Sequence, residues 1–242
     1  MSKQKFAVFD IDGTLVRWQL YHAMVDRLAK AGFVPQDAYE RAMKARLKWK
    51  ERSGEGAFNA YELELIDAFE ATLPGLPVSE FQKAAEAVFA AHKNQVYIYS
   101  RDLIHDLKSK NYLIFAISAS PYEVVKMVAD YYDFDDCVGT IYGQKDGKYT
   151  GTLSKIHSRK AEMLEQLIAK HGVIINDSVG AGDSDSDISM LDMVEHPIAY
   201  NPTRKLFLYA QAAGWKIVIE RKNMVYELVP DSGSYKLELP KT

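Results

Sequence analysis

The fold of this chain is decided by the stretch FAVFDIDGTL at residues 6–15. Four apolar residues lead directly into two carboxylates, Asp10 and Asp12, and then into Gly13. An apolar run that ends abruptly in charged residues and a glycine predicts a buried strand that feeds a loop. Because the two carboxylates are two residues apart, an extended backbone directs both to the same side. One can attack phosphorus while the other handles a proton, which favours phosphoryl transfer.

The composition is typical of a globular protein. The 242 residues are 48% hydrophobic and 26% charged, with a formal net charge of -3. This length allows one large domain, or a core domain with a smaller insert. Lys and Arg do not cluster as they do on nucleic-acid-binding surfaces, so we expect no nucleic-acid partner. The single cysteine, Cys137, excludes an intrachain disulfide and favours a reducing compartment.

Nothing in the sequence predicts targeting or membrane insertion. The basic residues 1–5 are followed by only a short strand-like run, whereas a secretory signal needs a longer apolar stretch and a small-residue cleavage site. No apolar run approaches the roughly 18 residues of a membrane span. We therefore expect a soluble, cytoplasmic protein with no membrane partner.

Three apolar or small-residue runs end in polar residues, and each precedes a helical pattern. They are residues 6–9 before Asp10, residues 112–117 before Ser118, and residues 178–182 before Asp183. Buried strands that alternate with helices predict an α/β fold with a parallel sheet covered on both faces. In such sheets ligands lie beyond the carboxyl ends of the strands, so the polar strand ends should meet at one site.

Residues 16–95 differ from the rest because they predict helices only. We predict a helical cap domain at 16–95, inserted after the first strand of a core domain made of residues 1–15 and 96–242. The helical segments are 21–31, 35–52, 59–72 and 79–92, the last with Ser79 and Gln82 placed as in a capping box. Further strands are expected at 141–142, 197–200 and 216–219, and the tail from Val229 is predicted to be weakly structured.

Asp10 and Asp12 suit the two chemical roles of a phosphoryl transfer. Asp10 is predicted to be the nucleophile, because an aspartyl-phosphate splits one difficult displacement into two easier ones. Asp12 is predicted to give a proton to the leaving oxygen and then to activate water. Gly13 lets the loop turn tightly and brings a backbone N–H close to the phosphate. Mg²⁺ prefers a few carboxylates with water and substrate oxygens, so Asp10, the Asp12 carbonyl and Asp183 are its predicted ligands.

The other strand ends supply groups for the phosphate and the metal. The hydroxyl of Ser118 and the backbone N–H of Ala119 are predicted to bind phosphate oxygens. Lys160, at the start of a helical run, can neutralise the nucleophile and the phosphate together. In the acidic loop GAGDSDSD at 180–187, Asp183 is the predicted metal ligand and Asp187 the partner that orients it.

Taken in order, these motifs resemble those of the haloacid dehalogenase-like (HAD) hydrolases, and in particular the subfamily IB group similar to phosphoserine phosphatase. DIDGT at 10–14 matches the first motif, Ser118 the second, Lys160 the third and residues 182–187 the fourth. The resemblance implies a Rossmann-like, doubly wound core with a C1-type helical cap, Mg²⁺ dependence and a covalent aspartyl-phosphate intermediate. It implies a phosphatase that acts on a small phosphorylated metabolite.

Gln19 departs from the pattern of this group. Phosphoserine phosphatases usually place a glutamate shortly after the first motif to hold the substrate ammonium, and Gln19 stands at the corresponding position. A neutral amide cannot pair with an ammonium as a carboxylate does. Gln19 is therefore a candidate substrate-binding residue that disfavours phosphoserine itself.

Other interpretations stay open. The acidic loop imitates a calcium loop, but Ile188 stands where the glycine is required. Helix capping is an alternative role for Asp187 and for Ser118, and a solvated charge is the alternative for Lys160, whose neighbour is Lys155. For the whole chain, the alternatives are a phosphotransferase that passes the phosphoryl group to an alcohol, and a non-catalytic protein that binds a phosphorylated ligand. The intact set of polar strand ends favours an enzyme.

Overall fold

The structure of this chain is a computed structural model that describes residues 4–54, 56–154, 156–222 and 224–238. Lys155, the neighbour weighed against Lys160, and residues 239–242 of the predicted tail lie outside the described residues. The chain divides into two compact units. The first unit comprises residues 1–19, 92–140 and 155–242, and the second comprises residues 20–91 and 141–154.

A largely parallel sheet forms the centre of the first unit. The strands of the chain are β1 (Lys5–Phe9), β2 (Leu113–Pro121), β3 (Asp136–Lys145), β4 (Lys148–Ser154), β5 (Ile174–Gly182), β6 (His196–Tyr200), β7 (Lys216–Arg221), β8 (Met224–Asp231) and β9 (Ser234–Glu238). Their order is β4-β3-β2-β1-β5-β6-β7-β8-β9. Neighbours from β3 to β7 run parallel, whereas β4, β8 and β9 pair antiparallel.

The helices divide between the two units. They are α1 (Leu20–Lys30), α2 (Gln36–Lys50), α3 (Ala57–Thr72), α4 (Val78–His92), α5 (Ile98–Ser109), α6 (Tyr122–Tyr131), α7 (Lys160–His171), α8 (Ile188–Leu191) and α9 (Arg204–Ala213). The first four build the second unit, and the others flank the sheet strands along the chain. Helix α4 begins at Val78, so Ser79 lies within the helix rather than at the predicted capping position.

Both faces of strand β1 are buried. Phe6 and Val8 join a core cluster that includes Phe115 from β2, while Ala7 and Phe9, which alternate with them, are also 0% exposed. Burying each large side chain contributes about 1.5 to 3 kcal/mol. A strand covered on both faces needs a continuous apolar run, which explains the sequence of β1. The predicted α/β fold with a parallel sheet is confirmed.

The tail from Val229 is more ordered than the sequence predicts. Strand β8 pairs antiparallel with β7, and β9 continues the sheet beyond it. The hydroxyl of Tyr235 donates to the carbonyl oxygens of Ala210 (3.0 Å) and Trp215 (2.7 Å). The prediction of a weakly structured tail was wrong because Pro230, Asp231 and Gly233, which suggested irregular structure, lie at the end of β8 and in the turn before β9.

The second unit combines four helices with a hairpin that we predicted to belong to the core domain. The hairpin, residues 141–154, contains the end of β3 and all of β4. Tyr142 packs edge-on against Phe69 of α3 and Phe81 of α4, with ring centroids 5.6 and 5.9 Å apart. These aromatic contacts explain why a segment distant in sequence belongs to the helical unit. The role of residues 16–95 as a cap stays a prediction.

Among the described residues, every helix is too short or too polar to cross a membrane.

His22 is buried inside the helical unit, with 3% of its surface exposed. Its ring contacts Tyr61 edge-on at 5.0 Å between centroids, and Tyr61 stacks on Trp49 at 5.7 Å. Burial, together with the positive charge of Arg46, lowers the pKa of His22 from 6.5 to about 4. The imidazole is therefore neutral in the folded protein at pH 7.

We expect His22 to make the protein less stable as pH falls from 7.5 to 5. Its folded pKa lies below the unfolded value of 6.5, so the unfolded chain binds more protons in this range. The contribution of His22 to the stability of the fold is fully present above pH 6.5 and is lost as pH falls toward 4. The loss at about pH 5 is about 2 kcal/mol of unfolding free energy.

Urea titrations at the two pH values measure this effect. His22→Gln should reduce the pH dependence of the unfolding free energy by about 2 kcal/mol. The matched control is His105→Gln, at an exposed helical position, and its pH dependence should equal that of the wild type. Equal pH dependence in the wild type and His22→Gln would contradict the expectation.

Candidate active site

The polar residues predicted at the strand ends come together at one edge of the sheet in the first unit. Asp10 and Asp12 follow β1, Ser118 lies near the end of β2, and Asp183 follows β5. Strands β2 and β5 are the two neighbours of β1, and all three run parallel. The backbone N–H of Asp10 donates to the carbonyl of Ala181 at 2.9 Å. The central strands therefore deliver these side chains to a common site.

A tight turn follows the first carboxylate. The N–H groups of Leu15 and Val16 both donate to the carbonyl of Ile11, at 3.0 and 2.8 Å. Gly13 adopts a positive φ of 79°, which favours glycine. A Cβ atom at Gly13 would lie 2.1 Å from Oδ2 of Asp183. Glycine is required here because the turn brings its backbone directly against the Asp183 carboxylate.

The ammonium group of Lys160 holds two carboxylates in the interior. Its Nζ lies 2.7 Å from Oδ1 of Asp10 and 2.5 Å from Oδ1 of Asp187. Lys160 is the first residue of α7, so the start of this helix positions the charge. The side chains of Lys160, Asp10 and Asp187 are 2%, 6% and 0% exposed. Lys160 is thus a buried ion-pair partner rather than a solvated surface charge.

Burial and the neighbouring charges shift the protonation equilibria of this cluster. Burial raises the pKa of Asp10; Lys160 opposes the shift, and the charges of Asp187 and Asp12 reinforce it. Burial alone would lower the pKa of Lys160, but Asp10 and Asp187 outweigh it and raise that pKa. Burial and the charges of Asp10 and Asp187 also raise the pKa of Asp183 well above its ordinary value. Lys160 therefore keeps its proton, and the carboxylates of Asp10, Asp183 and Asp187 repel one another.

Asp12 and Ser118 form a second contact at the site. The hydroxyl of Ser118 donates to Oδ2 of Asp12 at 2.8 Å and accepts the backbone N–H of Ser120 at 3.0 Å. Helix α6 begins only at Tyr122, so Ser118 is not its cap. Ala119, predicted to bind phosphate through its N–H, lies next to Ser118 at partial exposure and accepts a hydrogen bond from Thr140 through its carbonyl at 2.6 Å.

Asp187 shapes the acidic loop through its second oxygen. Oδ2 accepts the backbone N–H groups of Asp183 (3.1 Å) and Ser184 (2.9 Å). A Cβ atom at Gly182 would lie 2.5 Å from Cβ of Asp187, so the glycine makes room for this close packing. Asp187 thus holds the backbone of Asp183 while its other oxygen binds Lys160.

Gln19 and Thr14 also lie at this site. The amide nitrogen of Gln19 lies 3.3 Å from the position that a Cβ at Gly13 would take, beside the Asp183 carboxylate. The hydroxyl of Thr14 donates to Oδ2 of Asp10 at 3.3 Å. No role was predicted for Thr14, although a hydroxyl four residues after Asp10, within a glycine turn, was the available signal.

A sequence profile of the haloacid dehalogenase-like hydrolases matches residues 7–192. The chain belongs to this family. Phosphoserine phosphatase from Methanocaldococcus jannaschii is 25% identical over 202 residues, which cover 82% of this chain and 86% of that protein. Histidinol-phosphatase from Neisseria meningitidis serogroup C is 26% identical over 231 residues, which cover 89% and 98% of the two chains. The family and these relatives identify the chain as a phosphatase.

Solved structures share the fold. A Bordetella pertussis protein of unknown function superposes with a TM-score of 0.71 at 23% identity, covering 90% of this chain and 99% of the other. A substrate-bound phosphoserine phosphatase superposes with a TM-score of 0.61 at 22% identity, covering 86% and 91%. These two proteins thus have the same fold as this chain.

The acidic cluster of this hydrolase fits a divalent metal ion. The carboxylate oxygens of Asp10, Asp183 and Asp187 lie within 4.8 Å of one another. Oxygen donors of this kind suit hard cations such as Mg²⁺. Three carboxylates face one ammonium group, so the cluster carries a formal negative charge that a cation would offset. The Asp12 side chain instead accepts the hydrogen bond from Ser118, and the metal contact of its carbonyl stays a prediction.

Removing the charge of Lys160 should destabilise the protein. We expect Lys160→Met to lower the free energy of unfolding by about 3 to 5 kcal/mol, since buried carboxylates lose their cation. Adding Asp10→Asn should recover part of this loss, because the two residues are coupled. Urea denaturation without added metal measures both variants.

Lys205→Met is the matched control, since Lys205 pairs with Asp185 while 74% exposed. It should cost far less than Lys160→Met. Similar losses for the two lysine variants would show that the Lys160 ion pairs do not stabilise the site.

Proposed function

We propose that this chain is a Mg²⁺-dependent phosphatase that hydrolyses a small phosphomonoester through an aspartyl-phosphate on Asp10. The observation that carries the proposal is the division of labour between the two carboxylates. Asp10 is held by Lys160 at 2.7 Å, whereas Asp12 is held by the Ser118 hydroxyl at 2.8 Å. The Lys160 ammonium favours the ionised form of Asp10, whereas Asp12 has a neutral hydroxyl as a hydrogen-bond partner and is the carboxylate that we propose carries the proton.

The first half of the proposed reaction transfers the phosphoryl group to the protein. A carboxylate oxygen of Asp10 attacks phosphorus in line with the leaving oxygen, and the bond from phosphorus to that oxygen breaks. Protonated Asp12 gives its proton to the leaving oxygen, so an alcohol departs. Lys160 and the Ser118 hydroxyl stabilise the charge on the reacting groups.

The second half releases phosphate. Asp12, now ionised, takes a proton from water while the water oxygen attacks phosphorus, and the bond to Asp10 breaks. This step restores the carboxylate of Asp10 and the proton of Asp12, so the protein returns to its starting state. We propose that Asp10, Asp183 and the Asp12 carbonyl hold Mg²⁺, with Asp187 orienting Asp183. The bound ion would supply positive charge to the phosphoryl oxygens.

Phosphate release from an aryl phosphate tests the proposal. We expect activity with Mg²⁺, none after treatment with EDTA, and recovery when Mg²⁺ is added back. Asp10→Asn should reduce turnover at least about a thousandfold, as is usual for the loss of a nucleophile, while unfolding no more easily than the wild type. Asp106→Asn, at an exposed aspartate that pairs with Lys110, is the matched control and should keep full activity.

Four outcomes would count against parts of this proposal. Full activity of Asp10→Asn would exclude the covalent step, and activity in EDTA would exclude the metal. Transfer of the phosphoryl group to an added alcohol in preference to water would indicate a phosphotransferase. Binding of phosphorylated compounds without turnover would indicate a binding protein.

The neutral side chain of Gln19 should set the preference for the leaving group. The relatives named above are phosphatases of phosphoserine and of histidinol phosphate, and each of these compounds carries an amine. We propose that this chain favours small phosphomonoesters without an ammonium group near the phosphate. A screen with phosphoserine, histidinol phosphate, phosphocholine, phosphoethanolamine and sugar phosphates would define the substrate.

Gln19→Glu should raise kcat/KM for phosphoserine relative to glycerol phosphate about tenfold, because a new carboxylate–ammonium pair is worth roughly 1.4 kcal/mol. Gln19→Leu controls for loss of the amide and should not raise this ratio. The same kinetic assays measure both variants. An unchanged ratio in Gln19→Glu, or a wild type that prefers phosphoserine, would contradict this role.

A further inference from the structure

Glu220 is a buried acid of the first unit that the proposed reaction does not use. It lies near the end of β7 and is 8% exposed. Its Oε1 accepts the backbone N–H of Ile98 at 3.1 Å. Its Oε2 accepts the N–H of Tyr99 at 2.9 Å and the hydroxyl of Tyr200 at 2.7 Å. Both carboxylate oxygens are thus held by neutral donors in the interior.

The first two of these donors form the N-terminus of helix α5. The residue before the helix, Tyr97, makes no side-chain capping bond, and the first turn contains no acidic residue. The free N–H groups at the start of a helix favour a negative charge. Glu220 supplies that charge from 122 residues further along the chain. The helix start is therefore fixed by the sheet and not by its own sequence.

The start of α5 is in turn bonded to the turn that follows Asp12. The N–H of Tyr97 donates to the carbonyl of Leu15 at 2.9 Å. The hydroxyl of Ser100 donates to the carbonyl of Thr14 at 2.7 Å. Since the Thr14 hydroxyl donates to Asp10 at 3.3 Å, one continuous chain of contacts joins the helix start to the proposed nucleophile.

Glu220 also contacts the segment that supports the acidic loop. The ring of Tyr200 packs edge-on against Tyr97, with centroids 5.1 Å apart. Burial, then the hydrogen bond to Glu220, raises the pKa of the Tyr200 hydroxyl, so it remains a donor. The N–H of Glu220 donates to the Asn201 side chain at 2.8 Å. Two residues further on, the N–H of Thr203 donates to the carbonyl of Asp183 at 2.8 Å.

We propose that Glu220 is a positioning residue for the reaction assigned to Asp10 and Asp12. Its carboxylate anchors the N-terminus of α5, which holds the turn at residues 13–17 and so keeps Asp10 and Asp12 in their reactive arrangement. The inference rests on the proposed function for its kinetic consequence, but the anchoring of the turn is independent of the chemistry.

Glu220→Gln tests the proposal, because it keeps the shape while replacing one acceptor oxygen by an amide NH₂ group, which cannot accept a hydrogen bond from the backbone N–H that faces it. We expect kcat for an aryl phosphate with saturating Mg²⁺ to fall about tenfold, with KM changed less than about threefold. We also expect amide hydrogen exchange of a peptide covering residues 11–17 to become at least about tenfold faster. The matched control is Glu227→Gln on the neighbouring strand, whose partner is Lys216, and it should change neither quantity.

A rescue variant separates positioning from general destabilisation. Ile98 is the first residue of α5 and is 47% exposed. Adding Ile98→Glu to Glu220→Gln returns a negative charge to the helix start, and should restore kcat to within about threefold of the wild type. A general loss of stability would not be repaired in this way.

The outcomes distinguish the two proposals. A wild type that does not hydrolyse the aryl phosphate contradicts the proposed function, while the exchange measurement still decides the anchoring. Unchanged exchange at residues 11–17 in Glu220→Gln overturns the positioning role. If Glu220→Gln does not fold, Glu220→Asp, which is one methylene shorter, takes its place. Equal exchange in Glu220→Asp and the wild type likewise overturns the role.

Discussion

The site depends on the ion pairs that the buried ammonium group of Lys160 forms with Asp10 and Asp187. This group connects the end of the central strand, through Asp10, to the acidic loop, through Asp187. Without a cation, these carboxylates would meet in a region that excludes water, where unpaired charges are strongly disfavoured. The ion pairs therefore hold the first residue of α7 against the end of β1 and the acidic loop. The same contacts hold the start of the helix in place and bring the charges of the site together.

The cluster remains electrostatically unbalanced even with Lys160 in place. The cluster holds three carboxylates but one lysine, which pairs with two of them. Burial also raises the pKa of Asp183 well above its ordinary value. Groups in this state are typical of functional sites, since a protein selected only for stability would have replaced them. The apolar core around β1 supplies the stability that permits this arrangement. A bound cation would relieve the repulsion and stabilise the fold further.

Local sequence patterns predicted the strand ends and failed where distant residues decide the structure. Asp10, Ser118 and Asp183 were predictable because each follows a buried run along the chain. The capping of α5 by Glu220 has no local signal, because the acid and the helix are 122 residues apart. The same limitation applies to the hairpin at 141–154, whose Tyr142 packs on helices far away in sequence. The predicted roles of the site residues await the experiments above.

The place of β1 in the sheet also has a consequence for how the chain folds. Its neighbours are β2 and β5, at residues 113–121 and 174–182. The contact between Asp10 and Lys160 spans 150 residues. Contacts of such long separation carry a loop-closure cost and form slowly. The sheet around β1 therefore closes late in folding, and the site forms only after strands that are distant in sequence have paired.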